Sequence, residues 1–239
     1  MSQTAATMTM NSPASLATLH ALASSQQPLD IRVANAELMR EVGLKCIGFN
    51  GVPRVINCLG AFRNALPGEV TSRLTTISSR TPDPQNIEAA KSRGRKLWDS
   101  IYRPFEGKLV RKLAESHPDL PVHILNSEYG LLFADPKRSV KVDGQSVGRI
   151  ATSVVAVACL RAQTGVGPQV VSHVFGLRKA VEDGTWTQGL EEEAGDIEDG
   201  VRWLASDEGS CWILESVDAI VNAIGDGSGS SFAPLRAKL

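Results

Sequence analysis

Aromatic side chains are scarce in this 239-residue chain, 5% of positions against 42% hydrophobic overall. A β-sandwich core wants more aromatic area, so the abundant Ala, Val and Leu point to helices packed through small aliphatic side chains. Net charge is scarce too, a formal −1. Without a general field, neither nucleic acid nor an acidic membrane surface is an expected partner. The longest uncharged apolar run, Ile150 to Leu160, is 11 residues. That is too short to span a bilayer, and it reads as a buried core helix.

The four cysteines, Cys46, Cys58, Cys159 and Cys211, include no C-x-x-C pair, and the four histidines, His20, His117, His123 and His173, are scattered. No zinc spacing results, no metal or cofactor is implied, and free thiols in a reducing compartment are expected. The first 29 residues contain no Lys, Arg, Asp or Glu. They lack the positive region of a secretory signal and the arginines of a mitochondrial presequence. They read as a flexible segment, 1–29, with a frayed tip and a short helix around "SLATLHALAS".

What charge there is falls unevenly. Residues 91–112 carry Lys91, Arg93, Arg95, Lys96, Arg103, Lys108, Arg111 and Lys112 against Asp99 and Glu106, whereas from Glu182 to Asp218 the only base is Arg202. Two solvated helix faces, paired within or between subunits, or a site for an anionic substrate would account for this. The chain ends Ala237, Lys238, Leu239, a match to the small-base-leucine class of peroxisomal address. The preceding "GDGSGSSFAPLR" is Gly/Ser-rich, so 227–239 reads as a flexible tail presenting the tripeptide to the peroxisomal import receptor. The expected location is the peroxisome matrix, with the cytoplasm as the alternative.

Helical signals fill residues 30–226, read as one all-α domain. "DIRVANAELMREVGLKCIGF" opens on Asp30 as N-cap; "PQNIEAAKSRGRKLWDSIY" and "EGKLVRKLAESH" follow. "HPDLPVHILNSEYG", with Pro118 and Pro121, reads as a turn into a short irregular helix. "DPKRSVKVDGQSVGR" reads as a loop, its "SVKV" at most a tiny hairpin arm. Glycines then punctuate four more helices. Trp98, Trp186, Trp203 and Trp212 read as core anchors. His117 and His123 read as surface or turn residues.

An internal echo stands out. "PRVINCLGAFRNAL", 53–66, aligns without a gap on "PQVVSHVFGLRKAV", 168–181. A duplicated helical hairpin packed about a pseudo-twofold axis is the expected meaning. In the second copy Val170, Val174, Leu177 and Val181 form a buried stripe, flanked by His173; in the first, Cys58 takes the place of the histidine. Both polar groups should be buried. A buried neutral imidazole suits a general base, and equally a hydrogen-bonded core residue.

The stretch "VGRIATSVVAVACLRAQTGVGPQVVSHVFGLRKAVEDG" resembles the alkylhydroperoxidase D and carboxymuconolactone decarboxylase superfamily, and "REVGLKCIGFNGVPRVINCLGAFRNALPG" looks like a second, diverged copy. The resemblance implies an all-α, AhpD-like bundle of two related hairpins that assembles as a homo-oligomer. Peroxidatic members use a glutamate and C-x-x-C-x-x-x-H, cycling two thiols through a disulfide. Gln169 and Val166 stand where those cysteines belong, and Arg54 and Gly51 at the corresponding places before Cys58. The dithiol mechanism is therefore not expected. Decarboxylase-type members need a proton donor near a developing enolate and a clamp on an oxygen. By that resemblance His173, Cys58 and Glu128 are candidate catalytic groups, and Arg54, Arg161 and Tyr129 candidate contacts to a small-molecule ligand. Two functions follow: acid/base chemistry or atypical peroxide handling on a small organic substrate in the peroxisome, or a non-catalytic oligomeric binding or assembly module.

Overall fold

The computed structural model describes residues 1–137, 143–187 and 194–227, with side chains from 197 in the last stretch; every regular element among them is helical, so the protein is all-α. In chain order come α1 (Ser2–Thr9), α2 (Pro13–Ala23), α3 (Leu29–Lys45), α4 (Ile47–Asn50), α5 (Val52–Ala65) and α6 (Gly68–Thr71). Next are α7 (Ile87–Tyr102), α8 (Glu106–Ser116), α9 (Asp119–His123) and a π-helical segment, Ile124–Phe133. The chain continues with α10 (Gly148–Gln163), α11 (Gly167–Glu182), a 3-10 turn at Thr185–Thr187, α12 (Ala194–Leu204) and α13 (Asp207–Ile224).

The uncharged run expected to be a core helix is α10, with Val155 to Cys159 almost wholly buried. Its Ala, Val, Ser and Thr side chains are short, which lets α1, α11 and α13 approach it together. One apolar cluster joins α1, α3, α5, α10 and α13; a second joins α10 to α11, α12 and α13; a third joins α7 to the π segment.

One face of α3 carries buried charge at four-residue spacing: Glu37, Glu41 and Lys45. Glu37 accepts hydrogen bonds from the Thr75 amide at 2.6 Å and Gln145 at 3.1 Å, and Glu41 pairs with Arg80. Lys45 donates to the Phe133 carbonyl and to Asp135 at 2.7 Å. The other Asp135 oxygen accepts from the Val147 and Gly148 amides at 2.9 and 2.7 Å, closing the N-terminus of α10. Burial pushes the Asp135 carboxyl up, but Lys45 and these two amides outweigh it and hold it below the usual carboxylate range. Removing one partner from such a buried pair costs on the order of 3–5 kcal/mol, because the other charge is stranded.

Several sequence expectations need correction. The N-terminus is not a frayed tip: Ala5, Ala6 and Met8 are fully buried against α10 and α13. Absence of charge there reflects a helix enclosed by the core rather than a solvated tail. Asp30 lies in the first turn of α3, whose cap is Pro28. Trp98 and Trp186 are core residues, but Trp203 and Trp212 are 38% and 43% exposed and pack on each other, ring centres 5.5 Å apart, on the outer faces of α12 and α13. Among the described residues, ion pairs of the basic stretch are the local Lys91–Glu88 and Arg95–Asp99; Glu191, Glu192, Glu193 and the Asp196 side chain of the acidic stretch lie outside them. The "SVKV" alternation and the C-terminal tripeptide lie outside the described residues.

The echoed helices are α5 and α11, each with proline in its first turn. Cys58 and His173 are both buried, as are Phe62 and Leu177. Their settings differ, since α11 packs along α10 whereas α5 leans chiefly on α2.

The π segment meets α7 at a glycine-to-glycine contact. A Cβ on Gly94 would lie 2.4 Å from the Gly130 amide nitrogen, so any side chain there pushes backbone against backbone. Gly94→Ala is expected to lower the stability by at least about 2 kcal/mol. Urea denaturation checks this, and it should also loosen the aromatic cluster that the two helices build.

Candidate active site

Tyr102 meets His173, and Tyr129, the chain's other tyrosine, meets Tyr102. Tyr102 ends α7, Tyr129 sits in the π segment one residue before Gly130, and His173 projects from α11. The glycine contact sets the first two side by side, and the packing of α11 on α7 adds the third. The phenol oxygens are 3.1 Å apart, and Tyr102 Oη is 3.4 Å from His173 Nε2. Around them stand Trp98, centred 4.2 Å from the Tyr102 ring, and Phe49 of α4, edge-on to the imidazole at 6.3 Å. Phe133 stacks on Phe49 at 4.9 Å.

Arg149 lies at the first turn of α10, 2% exposed. It donates to Ser100 Oγ at 2.7 Å and the Ser100 carbonyl at 3.2 Å, to Ser153 Oγ at 2.6 Å and to the Gly176 carbonyl at 2.8 Å. Gly176 is three residues beyond His173, so this arginine ties the histidine's helix to α7.

Electrostatics follow from this enclosure. Burial first, and then the Arg149 charge, lower the His173 pKa to about 4, so the ring is neutral at physiological pH. Burial raises both phenols, Tyr129 well above its ordinary value, and they remain protonated. Arg149 itself is drawn down by burial to about 10 and stays charged.

With both phenols protonated, the tautomer follows the direction of the series: if Tyr102 donates to Tyr129 it accepts from Nε2–H. If Tyr129 donates to Tyr102 and Tyr102 to His173 Nε2, the imidazole proton sits on Nδ1. Nδ1 is buried and has no hydrogen-bond partner among the described residues. A second such atom is Glu128 Oε2, beside Gly48, while Glu128 Oε1 faces the exposed His123 at 3.4 Å. Glu128 Oε2 therefore borders α4, whose Phe49 also lies edge-on to the imidazole.

The six residues singled out from sequence do not all meet here. His173 and Tyr129 are joined through Tyr102, and Glu128 precedes Tyr129 in the π segment with its carboxylate beside Gly48 and His123. Cys58 lies elsewhere, its Sγ 3.9 Å from Asn11 Oδ1, with its thiol raised by burial. Arg54 donates to the Thr9 carbonyl. Arg161 is at the surface, in a two-bond pair with Asp218 at 2.8 and 2.6 Å, beside a recess of about 410 Å³. The clamps read from sequence thus face other regions because the helices bearing them turn those faces away.

Sequence reasoning missed Tyr102, Phe49 and Arg149. Arg149 had a usable signal, a charge standing immediately before the uncharged run Ile150 to Leu160 that forms the buried body of α10. Tyr102 had only rarity. Four surface recesses of about 240–410 Å³ open on the described residues, and His173 lines none of them.

A depressed histidine pKa makes folding pH-dependent. The folded value of about 4 is below the unfolded 6.5, so the neutral ring's contribution is complete above about pH 6.5 and lost as pH falls toward 4. Imidazole NMR should show His173 titrating near 4, and His173→Gln should flatten the stability profile between those limits. A midpoint near 6.5 would contradict the enclosure.

No protein-family model matches the chain, and no solved structure matches it. It is similar to Peroxisomal protein 2 of Saccharomyces cerevisiae, 28% identical over 170 residues, which span 63% of this chain and 57% of that protein.

Proposed function

We propose that this chain is a peroxisomal matrix protein of the alkylhydroperoxidase D and carboxymuconolactone decarboxylase type that performs acid/base chemistry on a small organic substrate. The carrying observation is the hydrogen-bonded series Tyr129, Tyr102, His173, ending in an unpartnered Nδ1. A neutral imidazole N–H is a donor suited to an oxygen on which negative charge develops, as in enolate formation next to a carbonyl. Glu128, whose inner oxygen is unpartnered, is the matching base. Arg149 has its donors engaged, so it acts through its field and through the seating of α11 rather than as a clamp. Substrate reaches Nδ1 when α4, a four-residue helix bearing Phe49, moves aside.

The reaction is tested by proton exchange. Purified protein is incubated in deuterated buffer with β-keto acids, lactones and related carbonyl compounds, and exchange of the C–H beside the carbonyl is followed. His173→Gln is expected to slow exchange roughly 100-fold or more, and Tyr102→Phe less. Equal rates in wild type and His173→Gln sink the assignment.

A second reading, an oligomeric assembly module, draws support from the apolar outer faces of the two echoed helices. Val52 and Ile56 on α5 are 50% and 65% exposed; Val171 and Phe175 on α11 are 52% and 57% exposed. Ile56 and Val171 are equivalent positions of the echo. Wild-type protein inert toward every carbonyl compound, yet self-associating in sedimentation, selects this reading.

The location rests on the terminal Ala237-Lys238-Leu239 and on the similarity to Peroxisomal protein 2. No described helix is long and apolar enough to cross a membrane. A fluorescent protein fused to the N-terminus should mark peroxisomes, and deletion of the last three residues should return it to the cytosol. Peroxisomal signal unaffected by the deletion would remove the tripeptide from the account.

A further inference from the structure

Two buried nucleophiles play no part in the histidine site. Cys46, at the junction of α3 and α4, and Cys159, in α10, have Sγ atoms 3.5 Å apart across 113 residues of chain. Both are fully buried. The surroundings are not purely apolar: Asn50 Nδ2 points at Cys159 Sγ from 3.8 Å, and Thr9 Oγ1 donates to Asn50 Oδ1 at 3.1 Å. The Ala5 carbonyl of α1 lies 3.9 Å from the same sulfur. The thiols therefore sit in a polar seam roofed by α1. Cys58 turns toward Asn11, and Cys211 is exposed.

A disulfide bond is about 2.05 Å long, so closing the gap takes roughly 1.5 Å of sulfur movement, within reach of small rotations about the two Cα–Cβ bonds that bring the already touching sulfurs together. We infer that Cys46 and Cys159 form a two-electron oxidation site, which a small hydroperoxide converts to a disulfide inside the native fold, stapling the α3–α4 junction to α10. This inference is independent of the acid/base reading and involves no turnover.

Chemically, Cys159, whose sulfur faces the Asn50 N–H, loses its proton to water and attacks one peroxide oxygen. The O–O bond breaks, the departing oxygen takes up a proton as water or alcohol, and Cys159 becomes a sulfenic acid. The Cys46 sulfur then displaces hydroxide, which takes the Cys46 proton and leaves as water. Two thiols give up two electrons, and one peroxide is reduced. The Cys159 contact and then burial hold Cys46 protonated well above its ordinary pKa, which slows reaction in the closed fold. Oxidation accordingly awaits displacement of α1, and bulky disulfide reagents are excluded.

The test uses the full chain and hydrogen peroxide. After timed exposure the protein is unfolded, free thiols are alkylated, and tryptic peptides are weighed. Exposed Cys211 should react first; Cys46 and Cys159 should then leave the alkylated pool together, appear as one linked peptide pair, and return on reduction. Helicity should persist, and the thermal midpoint should rise by roughly 10–20 °C, as expected for a link closing a loop of this length. Cys46→Ser should abolish the link without diverting Cys159 to Cys58, and His173→Gln should leave it unchanged. The inference is overturned if both thiols stay alkylated after Cys211 is consumed, if Cys159 pairs with Cys58, or if the link forms only with loss of helicity or without a rise in midpoint.

Discussion

Arg149 carries a positive charge into the interior where α7, α10 and α11 converge, and its hydrogen bonds to Ser100, Ser153 and Gly176 leave it little freedom. A guanidinium is costly to bury unless its donors are satisfied, so the three helices must hold one relative placement for the charge to be tolerated. That placement puts His173 against Tyr102. The same charge, with burial, keeps the imidazole neutral and therefore able to act as a hydrogen-bond donor rather than a cation. Position and protonation state of the candidate catalytic group thus share one cause.

The polar groups elsewhere in the core work in a similar way. Glu37, Glu41 and Lys45 lie on one face of α3, and each is answered by a residue from an irregular stretch: Thr75, Arg80 and Asp135. An interior of small aliphatic side chains makes few shape demands of its own, because many helix placements bury similar area. Directional bonds to buried charges remove that degeneracy. The few aromatics are spent differently: Trp98, Tyr102, Tyr129, Phe133 and Phe49 cluster in one place and enclose the histidine.

The helices were largely legible, since the apolar run at Ile150, the proline-led starts at Pro53 and Pro168, and the glycine stops are local signals. Burial of Cys58 and His173 was legible from their shared place beside an apolar stripe. The N-terminal segment was misread because Ser, Thr, Ala and Met suit both an exposed tail and a tightly enclosed helix; only the partner surface of α10 and α13 decides. Trp203 and Trp212 defeated the usual expectation for tryptophan in the opposite sense. Of the proposed site, His173, Glu128 and Tyr129 were singled out in the sequence through the resemblance, which nothing in the structure tests, and the structure brings His173 and Tyr129 together through Tyr102. That meeting was not legible, because it depends on the Gly94–Gly130 approach, a tertiary contact 36 positions apart that no periodicity encodes.

α10 runs past both ends of this story. Arg149 stands in its first turn and Cys159 near its last, ten residues and roughly 15 Å apart at 1.5 Å per residue. The seat of the histidine and the seat of the thiol pair are therefore carried by one buried helix, so the fold that places the one also places the other.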